Sequence, residues 1–188
     1  MVEVKGSVVS DSIKSVKDHF GEQAYAAIVN QLQGEARHVF GQPTILSSSW
    51  YSLDAFTEFL DKDVQVTAQG NEQELVKRAE VLIERQLSGI YKMFVRFGSP
   101  QFVLNRISVV HQTYFRGVDV AISFPVPGKA VLKYTGFAKQ HRLIGFTIIG
   151  FYRKALEISG AMNVDAKFTT SIEQGMGYCE LTLTWTGK

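Results

Sequence analysis

Side chains that could do acid–base, nucleophilic or metal chemistry near neutral pH are few in this chain: four histidines and one cysteine among 188 residues. His111, in the run VVHQTYF, is the one histidine that falls on an apolar helical pattern close to a predicted sheet. Two readings stand for it: a satisfied histidine at the core boundary, or an imidazole facing a ligand. His19 and His38 flank short N-terminal helices and read as surface residues, and His141 sits in a basic loop, where a neutral, exposed ring is expected. No two histidines share a metal-binding spacing, and no acidic residue accompanies His111 at i±3 or i±4, so a dedicated metal site is not expected.

Cys179 falls on the apolar side of an alternating strand, where desolvation disfavours a thiolate, so it reads as a structural cysteine. A lone cysteine excludes an internal disulfide and fits a reducing compartment. No Ser-His-Asp arrangement, nucleophile elbow, phosphate loop or dinucleotide fingerprint occurs. Without converging acid, base and nucleophile groups the chain is not expected to be an enzyme.

The elements that must position these residues follow from periodicity. Met162, Val164, Ala166 and Phe168 alternate with Asn163, Asp165, Lys167 and Thr169, and Cys179, Leu181, Leu183 and Trp185 alternate with Tyr178, Glu180, Thr182 and Thr184. Such alternation predicts an antiparallel hairpin with one wet face and one dry face. Val118–Phe124 and Lys129–Thr135 predict a second hairpin around a Pro125–Gly128 turn, and the apolar stretch Leu143–Ile158 predicts a helix against the dry face. Gly145 and Gly150 in that helix allow a close neighbour, expected to be a strand.

Upstream, helices are predicted at Ser10–Phe20, stopped by Gly21, and at Gln23–Leu32. A loop then spans Gly34 to the Ser47-Ser48-Ser49 cluster. Further helices start at Leu53 behind a Ser52 cap, run over Asn71–Phe97, and open at Ser99-Pro100 to end near Phe115. The expected fold is α+β: a helical N-terminal half (1–116) followed by ββαββ (117–188), with a mostly antiparallel four-stranded sheet packed on helices in a single domain.

An apolar content of 45% and a mean hydropathy of 0.00 suit a globular protein, and a net charge of +2 gives no case for nucleic acid. The opening twenty residues carry Glu3, Asp11 and Asp18 and do not form a signal peptide, and the apolar run Leu143–Tyr152 is shorter than the roughly 20 residues a membrane span needs. A cytoplasmic protein without a transmembrane segment is expected. Between Asp119 and Glu157 no acidic residue occurs, while Lys129, Lys133, Lys139, Arg142, Arg153 and Lys154 do. This predicts either a solvated basic rim or a face that docks an anionic partner through Lys139 and Arg142.

The order of elements and several residues resemble a known group. KGSVVSDSIKSVKDHFGEQAYAAIVNQL is similar to the start of haem–nitric-oxide/oxygen-binding (H-NOX) domains, and AVLKYTG followed by an apolar helix resembles that family's haem-contacting strand and helix. The closing helix, Ser159-Gly160 and the strand ending GYCELTLTW resemble 4-vinyl-reductase-type domains and TRAPP vesicle-tethering subunits, and the whole chain resembles a myxobacterial-type branch of that superfamily. The resemblance implies a ligand-binding or assembly fold over nearly the full length. It also implies an axial histidine about seven positions before the aromatic residue that closes the helix. That place is Ile107, with His111 one turn later, displaced ~5.4 Å along the axis.

The family's Tyr-x-Ser-x-Arg motif for the haem propionates falls on Tyr134-Thr135-Gly136-Phe137-Ala138, which keeps the tyrosine alone; Lys139 and Arg142 are the cations left to replace the rest. TRAPP subunits can carry an acyl chain on a cysteine, but Cys179 does not match that position. The reading is therefore a non-catalytic sensory or scaffold domain without haem, binding a small apolar ligand or a protein partner. Its pocket, between helix and sheet, would involve His111, Tyr114, Tyr134 and Phe146. The rivals are a haem-based NO/O2 sensor and a structural assembly subunit whose core is filled and whose surface mediates dimerisation, as a homodimer.

Overall fold

The computed structural model describes residues 1–86 and 98–187, apart from the side chains at 85, 86, 107, 108 and 110. Positions 87–97, including the predicted stripe residues Ile90, Met93, Phe94 and Phe97, lie outside the described residues. The fold is α+β, with N-terminal helices followed by a four-stranded antiparallel sheet packed on helices.

Helix α1 (Gly6–Gln31) starts four residues earlier than its periodicity suggests and is kinked at Gly21, where φ 84° and ψ 168° break it into the two predicted segments. Its first residue is tightly held: a side chain at Gly6 would run into the Leu46 carbonyl and the Tyr51 ring. Helix α2 (Gly34–Phe40) occupies a stretch that reads as loop, because seven residues with Ala36, Val39 and Phe40 buried give too short a pattern to stand out. In α3 (Leu53–Ala68) the Ser52 hydroxyl accepts the Ala55 N–H at 3.3 Å, the predicted cap. Helix α4 spans Gln73–Gln86, and α5 (Pro100–Tyr114) has Ser99 as N-cap and Pro100 in its first turn.

Three short strands form a sheet that sequence alone does not suggest: β1 (Glu3–Lys5) lies between β2 (Trp50–Ser52) and β3 (Phe115–Arg116), pairing Val4 with Tyr51 and with Phe115. Strands of two or three residues carry no alternation to detect, yet this sheet fixes the start of α1 beside the end of α5.

The main sheet runs β4 (Asp119–Val126), β5 (Lys129–Thr135), β7 (Tyr178–Thr186), β6 (Met162–Thr170), with every neighbour antiparallel. The register pairs Leu132 with Leu181 and Tyr134 with Cys179. Leu132, Tyr134, Leu181 and Leu183 are completely buried, so the dry face is the predicted one, while Thr182, expected on the wet face, is buried as well. Met162 departs from it: the register shifts between Met162 and Asp165, Asn163 takes a positive φ of 51°, and the Met162 side chain is 59% exposed. Helix α6 (Arg142–Ile158) lays Ile144, Ile148, Tyr152, Ala155 and Leu156 into the core. Gly145 admits the Phe168 ring of β6, as expected for a strand neighbour, whereas Gly150 admits the Val76 backbone of α4, a helix.

Candidate functional site

Four helices converge on one apolar cavity of about 100 Å³. Helix α4 contributes Ala79, Leu82 and Ile83; α5 and its end contribute His111, Tyr114 and Phe115; α6 contributes Thr147, Ile148, Phe151 and Tyr152; α1 adds Val8. Within each helix the contributors are three or four apart, or adjacent pairs so spaced, which puts them on one face. Leu82 and Ile83 belong to a stripe that the sequence shows, but nothing in it says that the stripe faces α5. Val8 is invisible as a site residue because its place depends on the β1 pairing.

His111 is the cavity's distinctive group. It is 7% exposed, stacks on Phe115 at 4.6 Å between ring centres and meets Tyr134 at 5.1 Å, edge to face. Its Nε2 is buried and has no hydrogen-bond partner among the described residues. Burial pushes its pKa down to about 4, so the ring is neutral at pH 7. Behind it, the Tyr134 hydroxyl donates to the Tyr152 hydroxyl at 3.1 Å, and burial raises the pKa of both phenols.

Of the four residues expected to form the pocket, His111 and Tyr114 line the cavity, Tyr134 sits behind His111, and Phe146 is half-buried away from it. The cavity is walled by helices instead of lying between helix and sheet, where Leu132, Tyr134, Leu181 and Leu183 of the two central strands are completely buried. Ile107 is on α5 one turn before His111, and its side chain lies outside the described residues.

His141 corrects its sequence reading. It is 3% exposed, its Nδ1 accepts the Ala138 N–H at 3.0 Å, and its Nε2 lies 2.8 Å from Asp54 Oδ1. A ring whose Nδ1 accepts must carry its proton on Nε2, which therefore donates to Asp54. Burial works against the Asp54 carboxylate, but hydrogen bonds from Gln140 and His141 prevail and hold its pKa below the ordinary value.

The basic run is also altered by folding. Arg142 is bound to Glu72 through both terminal nitrogens (Nη1 to Oε2 at 2.8 Å) and approaches Glu173 at 3.7 Å. Arg153 pairs with Glu80 at 3.4 Å and Lys154 with Glu84 at 3.3 Å. The acids missing from the local sequence come from the α4 region, packed alongside α6. Lys133 lies over the Tyr178 ring, and Lys139 is exposed with no ion pair among the described residues. Arg142 is thus a structural partner and not a free docking cation.

Cys179 is buried and its thiol pKa is pushed up to about 12 by burial, the expected structural state. Among the described residues no three His, Cys, Asp or Glu groups gather into a metal site, and no helix is long and apolar enough to cross a membrane.

No protein-family model matches the chain, and no curated protein matches it. Solved structures do. An Fe(II) unliganded H-NOX protein from K. algicida superposes with a TM-score of 0.73 at 15% identity, over 98% of this chain and 97% of that one. An H-NOX protein from S. oneidensis in the Fe(II)NO ligation state gives 0.70 at 14% identity, over 97% and 99%. A point mutant of T. Tengcongensis H-NOX gives 0.69 at 10%, over 97% and 98%. The chain therefore has an H-NOX-like fold along nearly its whole length.

That fold raises the question of haem, and the described residues do not fit it. His111 offers an unpaired imidazole nitrogen, the chemistry of an axial ligand. The rest is missing. A cavity of about 100 Å³ is far below the roughly 300–1,000 Å³ of sites for drug-sized ligands, and a porphyrin is larger than most of those. At the propionate positions, Tyr134 is fully buried and spends its proton on Tyr152. A side chain at Gly136 would strike the Gly117 carbonyl, and the Ala138 side chain has no donor. Arg142 is held by Glu72.

Proposed function

We propose that this chain is a non-catalytic sensory domain that binds a small, mostly apolar ligand in the α1–α4–α5–α6 cavity. The observation that carries this reading is His111: a buried ring nitrogen left without a partner among the described residues, beside an apolar void. An unsatisfied buried nitrogen costs roughly 1–3 kcal/mol, and a fold that only had to pack would be more stable with leucine there. A void between packed helices suits a sensor, since a ligand that fits one arrangement of α5 against α6 better than another would shift the balance between them.

Xenon is the direct probe. Under xenon pressure, methyl resonances of Ile83, Ile148 and Val8 should shift together while those of Leu181 and Leu183 stay in place. Uniform shifts, or none, would leave the filled-core assembly subunit as the better reading. The haem-sensor rival has its own test: hemin added to the purified chain should give no stoichiometric Soret band that depends on His111.

A further inference from the structure

A second recess, of about 310 Å³, shares no lining residue with the α1–α4–α5–α6 cavity. It lies between Phe137–Lys139, just after β5, and the stretch that runs from Ile172 into the start of β7. Its walls are largely apolar. Phe137 lines it with a ring that also packs against Tyr134 and His141, at 5.7 and 6.2 Å between centres. Ile172 is buried and Met176 is exposed. Gly175 and Gly177 line it as well, and, chain neighbours apart, nothing lies within 4 Å of where a side chain on either would begin.

Lys139 is the one charged residue in this lining. It is exposed and has no ion pair among the described residues. The charges nearby are engaged: Glu173 approaches Arg142 at 3.7 Å, and Lys133, 4.1 Å over the Tyr178 ring, stands opposite Glu180 in the strand register. An anion in the recess therefore meets an available cation and no carboxylate in the walls.

We propose that this recess binds a small amphipathic monoanion: a carboxylate that pairs with Lys139, on a short apolar body that lies against Phe137, Ile172 and Met176. The size follows from the volume, which stands at the lower end of the roughly 300–1,000 Å³ of small-molecule sites. The apolar body follows from the walls, which take its surface out of water. The charge follows from Lys139, whose flexible stem lets the ammonium meet a headgroup while staying in water. A dianion would find no second cation in the lining.

The test titrates hexanoate and n-hexanol into the full chain at pH 7, where the carboxylate is ionised, and follows Ile and Met methyl resonances by NMR. Hexanoate should shift Ile172 and Met176 saturably and leave Ile83 and Ile148, in the helix-walled cavity, in place. Its affinity should fall roughly threefold in Lys139→Gln, stay near wild type in Lys139→Arg, and weaken as salt rises. The alcohol should bind wild type and Lys139→Gln alike. Equal hexanoate affinity in wild type and Lys139→Gln, or an equal loss of both probes, would overturn the anion assignment. Absence of shifts at Ile172 and Met176 would overturn the site itself, and the xenon experiment reports on the helix-walled cavity separately. Hexanoate shifts at Ile83 and Ile148 instead would move the ligand into that cavity and overturn this proposal.

Discussion

The molecule buries two imidazoles in opposite ways. At the turn before α6, His141 has both ring nitrogens engaged, one by the Ala138 N–H and one by Asp54, and it ties that turn to the start of α3. At the end of α5, His111 is nearly as buried and has a nitrogen with nothing to bind among the described residues. Burial alone therefore does not mark function. The proposed function rests on the unspent hydrogen-bonding capacity at His111, because contacts among the described residues account for both nitrogens of His141 and leave Nε2 of His111 unpartnered.

Breaking the satisfied side of this comparison should cost most. His141→Ala strands the Ala138 N–H and opens a hole in the turn, and about 3 kcal/mol of stability should be lost in denaturant unfolding. The Asp54 part of that lock has a definite pH sign. Its carboxylate is held below its ordinary pKa, so its contribution is present at neutral pH and fades as pH falls through the acid carboxylate range. The stability gap between wild type and Asp54→Asn should close there.

A smaller loss tests the walls of the cavity. Gly150→Ala drives a methyl into the Val76 backbone and should cost about 2 kcal/mol, pushing α4 off α6 and separating Ile83 from Ile148. If the cavity is formed by that helix approach, the variant's xenon-induced shifts should change; unchanged shifts would place the void elsewhere.

What the sequence made legible has a physical boundary. The four long strands and the α6 helix were readable because each has seven or more residues with a clean period, and the Ser52 and Ser99 caps because capping is local. The three-stranded sheet around Glu3–Lys5 was not, since strands this short have no period. His111 stood out as a polar residue on an apolar helix, but whether its nitrogen found a partner depends on residues from α1, α4 and α6. The same limit hides half of the charge pairing: Arg142, Arg153 and Lys154, which have no acid near them in the run, meet Glu72, Glu80 and Glu84 in space. His141 looked exposed for the same reason, its partner Asp54 being 87 residues away.

The smallest effects separate the two cations once grouped together. Arg142→Glu faces Glu72 and Glu173 and should lower stability by roughly 1 kcal/mol. Lys139→Glu, on an exposed side chain with no ion pair among the described residues, should stay within about 0.5 kcal/mol of wild type. A pull-down at low and high salt with Lys139→Glu then tests an anionic partner without disturbing the fold.

Unfolding free energy of wild type and His111→Leu, measured from pH 8 to pH 4, tests most directly whether His111 is kept at a cost to the fold. With a native pKa of about 4 against roughly 6.5 in the unfolded chain, the unfolded state takes up a proton that the native state refuses. Wild-type stability should therefore fall across that window, from about pH 6.5 downward. The leucine variant should be more stable than wild type at pH 8, by about 1 kcal/mol, and its advantage should widen as pH drops. A variant less stable than wild type at pH 8, with a pH profile parallel to it, would show that His111 is satisfied within the fold and would contradict the account.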